Sequence, residues 1–67
     1  MEIVVLVNER LKERGWTQKQ LAEATGIRPA AISEICNNQR TTINREHLTK
    51  IADALGITDI RELIQLR

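Results

Sequence analysis

The 67-residue chain carries ten basic and nine acidic side chains, a formal net charge of +1. This length allows one small core, so we expect a single domain over residues 1–67 that gains stability from oligomerisation. One Cys and one His exclude an intrachain disulfide framework and argue against a protein-built metal site, so we expect no metal, no cofactor and a cytoplasmic location. The longest apolar run, residues 3–7, is too short for a membrane span.

The first predicted element is a helix over residues 3–14, with Ile3, Val7 and Leu11 on one stripe. A consecutive apolar run such as residues 3–7 would cover every face of a helix. Part of it is therefore exposed in a monomer, covered by a partner, or folded as a short β-strand, which its β-branched content favours. The sequence leaves these three alternatives open.

The stretch of residues 18–37 predicts two short helices joined by one tight turn, a helix-turn-helix. Thr17 and Gln20 have the spacing of a capping box for the first of these helices. Ala22 supplies the small side chain that a close helix crossing needs, and Gly26 supplies a turn residue that tolerates positive φ.

The second helix of this motif is predicted over about residues 29–37. Arg28 followed by Pro29 marks its start, because Pro at the first helical position loses no hydrogen bond. Ile32 and Ile35 lie three residues apart, on the face that packs back onto the preceding helix.

Two further helices are predicted after a polar loop. Asn44 caps a fourth helix over about residues 45–55, which Gly56 ends. A fifth helix is expected to begin near Asp59, which with Glu62 approximates a capping box. The sequence thus predicts an all-α, compact five-helix domain.

These residues resemble a known family. W-T-Q-K-Q-L-A-E-A-T-G-I followed by A-I-S-E-I-C-N-N is similar to the Xre/Cro type of phage repressor-like helix-turn-helix proteins, and the similarity extends from about Leu6 to Leu66. The resemblance implies binding to double-stranded DNA, with Gln18 against the phosphate backbone. The chain departs from the family pattern at residues 28–30, where Arg, Pro and Ala stand in place of the hydroxyl residue or Gln that often opens the second helix.

The exposed face of the second helix is the candidate base-reading surface. With Ile32 and Ile35 inward, the opposite face is short-chained and lightly charged, which favours insertion into the major groove over a solvated face. An alanine methyl suits a thymine methyl, a glutamate accepts from a cytosine amine, and an arginine suits guanine or a phosphate. The expected base contacts are Arg28, Pro29, Ala30, Ser33 and Glu34.

Phosphate contacts are expected from helix ends and the loop after the second helix. A helix N-terminus presents free N–H groups and the positive end of the helix dipole. The expected phosphate contacts are Gln18, Asn37, Asn38, Arg40 and Arg45.

The remaining reactive residue types fit structural roles better than chemistry. His47 is expected at the surface, Cys36 in partial burial as a small hydrophobe, and Trp16 in the core. No nucleophile is paired with a base in the sequence, so no enzyme activity is expected.

We therefore expect a sequence-specific DNA-binding transcriptional regulator, a repressor, that forms a homodimer at least on DNA and has no small-molecule ligand. Two alternatives stay open. One is a protein-interaction module of the same fold with weak DNA binding, favoured by the net charge of +1 and by the carboxylate of Glu34. The other is an antitoxin or an accessory protein of a mobile element.

Overall fold

Four α-helices and a two-stranded sheet make up the fold in the computed structural model, which describes residues 1–67. In chain order the elements are β1 (Ile3–Val5), α1 (Val7–Arg14), α2 (Gln18–Thr25), α3 (Pro29–Cys36), α4 (Arg45–Leu55), a 3-10 turn (Ile60–Glu62) and β2 (Ile64–Leu66). The expected all-α helix-turn-helix class is confirmed. The expected count of five helices is wrong, and the error lies at the two ends of the chain.

The N-terminal run is a strand before it is a helix. β1 pairs antiparallel with β2, in a register that places Ile3 opposite Leu66 and Val5 opposite Ile64. Backbone hydrogen bonds between Glu2 and Arg67 and from Leu6 to Leu63 flank this ladder, and α1 begins only at Val7. Of the alternatives for this run, the short β-strand is the one that the structure shows, as β-branched side chains favour.

The expected C-terminal helix does not form. The Asp59 carboxylate accepts from the backbone N–H of Arg61, 2.9 Å away, so it closes a local turn instead of capping a helix at Glu62. The single 3-10 turn ends at Glu62, and the carbonyl of the next residue, Leu63, accepts from Leu6 N–H at 2.7 Å. Backbone bonds from Leu63 and Arg67 to the N-terminal segment thus take the place of those in a fifth helix.

The helix boundaries between these ends follow the local signals. Thr17 and Gln20 exchange both capping-box hydrogen bonds, at 2.7 and 3.1 Å. Pro29 is the first residue of α3, and Asn44 Oδ1 accepts from His47 N–H to cap α4. Gly26 ends α2 with a φ of 73°, a conformation that glycine adopts without steric cost.

One core joins the helices to the sheet. Side chains from every helix and from the residue before β2 contribute to it, and no polar side chain is buried. Its largest fully buried members are Val7, Leu11, Leu21, Ile32, Ile51 and Leu63. None of the helices has the length and apolar character needed to cross a lipid bilayer.

Candidate nucleic-acid interface

The outward face of α3 consists of short side chains. Ile32 and Cys36 are buried against the core, whereas Pro29 and Ala30 at the start of the helix are exposed. Ser33 and Glu34, one turn further on, are half-buried. Small residues leave the helix backbone accessible, so the face can approach another surface closely.

The turn between α2 and α3 contains an interaction that the sequence interpretation missed. The hydroxyl of Thr25 donates to the carbonyl of Leu21 at 2.8 Å and accepts from the N–H of Ile27 at 3.3 Å. In a Schellman motif the Ile27 N–H would bond directly to the Ala22 carbonyl, which the Thr25 hydroxyl instead contacts at 3.4 Å. Sequence offered a signal, since Thr hydroxyls often bond a carbonyl four residues earlier in helices.

The N-terminus of α2 presents unpaired backbone donors. The capping box satisfies the N–H of Gln20 with the Thr17 hydroxyl, and the N–H of Leu21 bonds to the Thr17 carbonyl. The N–H groups of Gln18 and Lys19 have no partner within the chain. Together with the helix dipole, these two donors suit an anionic oxygen.

The start of α3 offers a similar arrangement. Arg28 precedes the helix in an extended conformation, as a residue before proline must, and its side chain forms no ion pair. The first backbone donor of α3 to be paired is Ile32 N–H, which bonds to the Arg28 carbonyl at 3.0 Å. The donors of Ala30 and Ala31 remain free beside an unpaired arginine.

Two of the predicted contact residues bind each other. Arg40 Nε donates to Glu34 Oε2 at 2.6 Å, and each side chain keeps about two-fifths of its surface exposed. The sequence predicts a base contact for the glutamate and a phosphate contact for the arginine, as independent groups. The structure joins them, so the glutamate charge is compensated and the terminal guanidinium nitrogens of Arg40 stay available.

The two asparagines after α3 have different surroundings. The side-chain amide of Asn37 donates to the Ser33 hydroxyl at 3.3 Å, which holds it against the outward face of α3. Asn38 uses both ends of its amide on Val5: its Oδ1 accepts from the Val5 N–H at 2.7 Å, and its Nδ2 donates to the Val5 carbonyl at 3.1 Å. We therefore assign Asn38 a structural role and leave it out of the DNA contacts proposed below.

Arg45 is the first residue of α4 and forms no ion pair. It lines a cleft of about 350 Å³ between α4 and residues 57–60. The Asp59 carboxylate in the same cleft is held by Arg61, and their hydrogen bonds lower its pKa to about 2. Arg45 is thus an unpaired cation beside the capped N-terminus of a helix.

Cys36 lies on the buried side of α3. Burial, and to a smaller extent the negative charge of Glu9, raises the pKa of its thiol to about 11. The thiol is therefore protonated at neutral pH and packs as a hydrophobic group, as expected.

The fold and the turn between α2 and α3 define a helix-turn-helix domain. A family model described as Helix-turn-helix matches residues 7–63, and the chain belongs to this family, which confirms the Xre/Cro-type resemblance. The crystal structure of a candidate DNA-binding protein from Bacteroides fragilis is similar to this chain, with a TM-score of 0.82 and 30% sequence identity over 96% of this chain and 100% of that one. No curated protein matches the chain. Both strands of the sheet lie outside the residues that the family model matches.

Proposed function

We propose that this domain is a sequence-specific regulator of transcription that inserts α3 into the major groove of double-stranded DNA. The observation that carries the proposal is the exposed start of α3, where small side chains and free backbone donors stand next to the unpaired Arg28. In helix-turn-helix proteins the N-terminal residues of the second helix contact base edges. The Bacteroides fragilis relative, described as a candidate DNA-binding protein, supports the same conclusion.

The proposed base contacts are those predicted from the sequence. Ala30 presents a methyl group suited to the methyl of thymine, and Arg28 has free donors that match the O6 and N7 atoms of guanine. Ser33 presents a hydroxyl one turn further along. Pro29, exposed at the first position of α3, adds an apolar contact near Ala30.

The proposed phosphate contacts surround this face. Gln18 offers its side-chain amide and its free backbone N–H at the start of α2. Asn37 at the end of α3 and Arg45 at the start of α4 add polar and charged donors. Contacts of this kind fix the position of a protein on DNA without reading sequence.

The Glu34–Arg40 pair acts in this proposal as one unit. Glu34 fixes the orientation of Arg40 through the Nε bond, so the two terminal nitrogens face a phosphate or a guanine. The carboxylate then contacts DNA favourably only where a cytosine amine meets it, and elsewhere the negative backbone repels it. The pair would thus add affinity through the arginine and discrimination through the glutamate.

We further propose that the regulator represses by occupying a promoter and that two copies bind a two-fold symmetric site. A single module of this kind buries only about 600–1,000 Å², whereas two copies contact half-sites about 34 Å apart. Repression by occlusion requires no surface beyond those that bind DNA.

A protein-interaction role is the second candidate, and one observation favours it. Glu34 and Arg40 neutralise each other on the proposed DNA face, and the net charge of the chain is only +1. A domain with so little surplus charge would bind random DNA weakly.

The deciding experiment is the selection of bound duplexes from a random pool, followed by titrations of the selected site, its single mismatches and random DNA over a salt series. We expect one enriched site, with each important mismatch weakening binding by about 1–3 kcal/mol. Arg45→Ala should weaken binding to all sequences alike and lower the salt slope by about one. Failure to enrich any sequence, with no salt-dependent binding, would favour the protein-interaction role.

The Glu34–Arg40 unit is tested with Glu34→Gln, Arg40→Ala and the double variant. We expect Glu34→Gln to strengthen binding to random DNA and to reduce the preference for the selected site. Arg40→Ala should weaken both, and the effects should not add, because each change alters the partner that remains. Additive effects would show that the two residues act independently on DNA.

A further inference from the structure

The two-stranded sheet has two outer edges, and only one of them forms hydrogen bonds with the rest of the chain. Glu2 and Arg67 exchange two backbone hydrogen bonds, at 2.7 and 2.9 Å, so Val4 and Gln65 occupy the next hydrogen-bonded position of the antiparallel ladder. At the alternate positions of the ladder, the backbone N–H and C=O groups point away from the partner strand. These are Ile3 and Val5 on the β1 edge, and Ile64 and Leu66 on the β2 edge.

The β1 edge is partly closed by the chain itself. The side-chain amide of Asn38 pairs with both the N–H and the C=O of Val5, as a neighbouring strand would. No backbone or side-chain group of the chain reaches the outward N–H and C=O groups of Ile64 and Leu66. The β2 edge also lacks the lysine, proline or bulge with which proteins usually protect an open edge.

We propose that the β2 edge binds the β2 edge of a second copy of this chain, so that two two-stranded sheets become one antiparallel four-stranded sheet. A two-fold axis through Gln65 places Ile64 of each copy opposite Leu66 of the other. Both residues carry outward donors and acceptors, so this register forms four hydrogen bonds and leaves none of the edge groups unpaired. A register centred on Ile64 or on Leu66 would pair fewer of them.

The side chains support the same register. Ile3 and Leu66 are cross-strand neighbours, and they are 54% and 61% exposed, which is high for large aliphatic residues. Across the proposed interface Leu66 meets Ile64 of the other copy, which lies beside Val5. The two rows of side chains on this face of the four-stranded sheet then become continuous and aliphatic. No like charges face each other, because Arg67 stands opposite Leu63 and Gln65 opposite Gln65.

The interface is small, and this sets its expected strength. An interface of four hydrogen bonds and two aliphatic side chains per copy buries less surface than the roughly 1,200 Å² of a standard stable interface. We therefore expect a weak, concentration-dependent dimer that a two-fold symmetric DNA site would strengthen. That last link rests on the proposed function, whereas the pairing itself does not, because no residue of β2 is a proposed DNA contact.

The direct test is disulfide trapping in a Cys36→Ala background. Gln65 pairs with its own copy at a position without hydrogen bonds, where Cα atoms stand about 4.5 Å apart, a distance that a disulfide spans. Gln65→Cys should therefore form a covalent dimer under mild oxidation. Arg67→Cys is the matched control: residue 67 is also exposed and on the same face, but its two copies would lie about 13 Å apart. Equal trapping of both cysteines, or of neither, overturns the proposal.

A second test removes one N–H from each edge. Leu66→Pro deletes an outward donor of β2 without affecting the bonds to β1, and Ile3→Pro does the same on the opposite edge. In sedimentation at increasing concentration, Leu66→Pro should shift the monomer–dimer equilibrium toward monomer by about tenfold or more, because each dimer loses two of its four hydrogen bonds. Ile3→Pro should leave it unchanged. If both variants dimerise like the wild type, the interface lies elsewhere.

These tests separate the pairing from the proposed function. A trapped Gln65→Cys dimer with no enriched DNA site would support the interface and contradict DNA binding. The opposite result is an enriched DNA site bound by a protein that sediments as a monomer, free and on DNA, and forms no Gln65→Cys disulfide. That result would support DNA binding and contradict the interface.

Discussion

The helix-turn-helix, residues 17–37, and the terminal sheet, residues 3–5 with 64–66, are specified in different ways. Within the helix-turn-helix each boundary is set by a residue close in sequence: Thr17 with Gln20, Gly26, and Arg28 with Pro29. The sheet has no such local signals and forms because two distant segments pair. The first region should therefore lose stability when a local signal is removed, and the second when its partner is removed.

The largest difference is expected from core truncation in the two regions. Ile32 on α3 is fully buried, so Ile32→Ala should cost about 2–5 kcal/mol and leave little folded protein in a domain of this size. Ile64 in β2 is only half-buried, so Ile64→Ala should cost less and leave the helices folded. Chemical denaturation followed by circular dichroism measures both. Equal losses would mean that the sheet is as important to stability as the helical core.

The conformation of Gly26 gives the next largest effect. Its φ of 73° is unfavourable for a β-branched residue, although a side chain there would meet no neighbour within 4 Å. Gly26→Val should therefore cost about 1–3 kcal/mol through backbone strain alone. Gly26→Asn is the matched control, because Asn tolerates this region better. If both variants melt like the wild type, the turn does not depend on a left-handed residue.

Removal of the Thr25 hydroxyl should have a smaller effect. Thr25→Val keeps the shape of the side chain but leaves the N–H of Ile27 and the carbonyl of Leu21 without their bridge. We expect a loss of about 1–2 kcal/mol in the free energy of unfolding. Thr25→Ser retains the hydroxyl and should recover most of it. A variant pair with equal stability would show that the bridge contributes nothing and that only packing counts.

The last expected effect is a pH dependence from Cys36, which is the smallest of the four at neutral pH because it begins only above pH 9. Its thiol pKa is about 11 in the folded protein and 9.0 when unperturbed, so above pH 9 the unfolded chain binds fewer protons than the folded one. The contribution of this thiol to the free energy of unfolding is fully present below pH 9 and is lost as the pH rises to about 11. The slope is at most about 1.4 kcal/mol per pH unit. Denaturation of the wild type and Cys36→Ala across this range should show a steeper fall for the wild type. Parallel curves would contradict the shift.

Most of the helix-turn-helix could be predicted from sequence, because its information is local. The capping box of α2, the proline at the first position of α3 and the glycine at the end of α2 each act within a few residues, and each lies where it was expected. The outward face of α3 followed from the helical period once Ile32 was placed inside.

The sheet and two details of the site could not be predicted in this way. An apolar run has no period that separates a strand from a buried helix. Residues 3–5 form a strand because they pair with residues 64–66 at the other end of the chain. The pairing of Asn38 with Val5 spans 33 residues. The ion pair between Glu34 and Arg40 crosses the end of a helix, where no fixed spacing rule applies.

Asn38 also has a geometric consequence for the proposed dimer. It follows α3 by two residues and bonds to β1 through both ends of its amide, so a single side chain connects the end of α3 to the sheet. Neighbouring strands of a sheet are rotated relative to one another in a fixed sense, a twist of about 20–25° on average. In a four-stranded sheet that twist would set the angle between the two copies of α3, and with it the bend of any DNA that touches both.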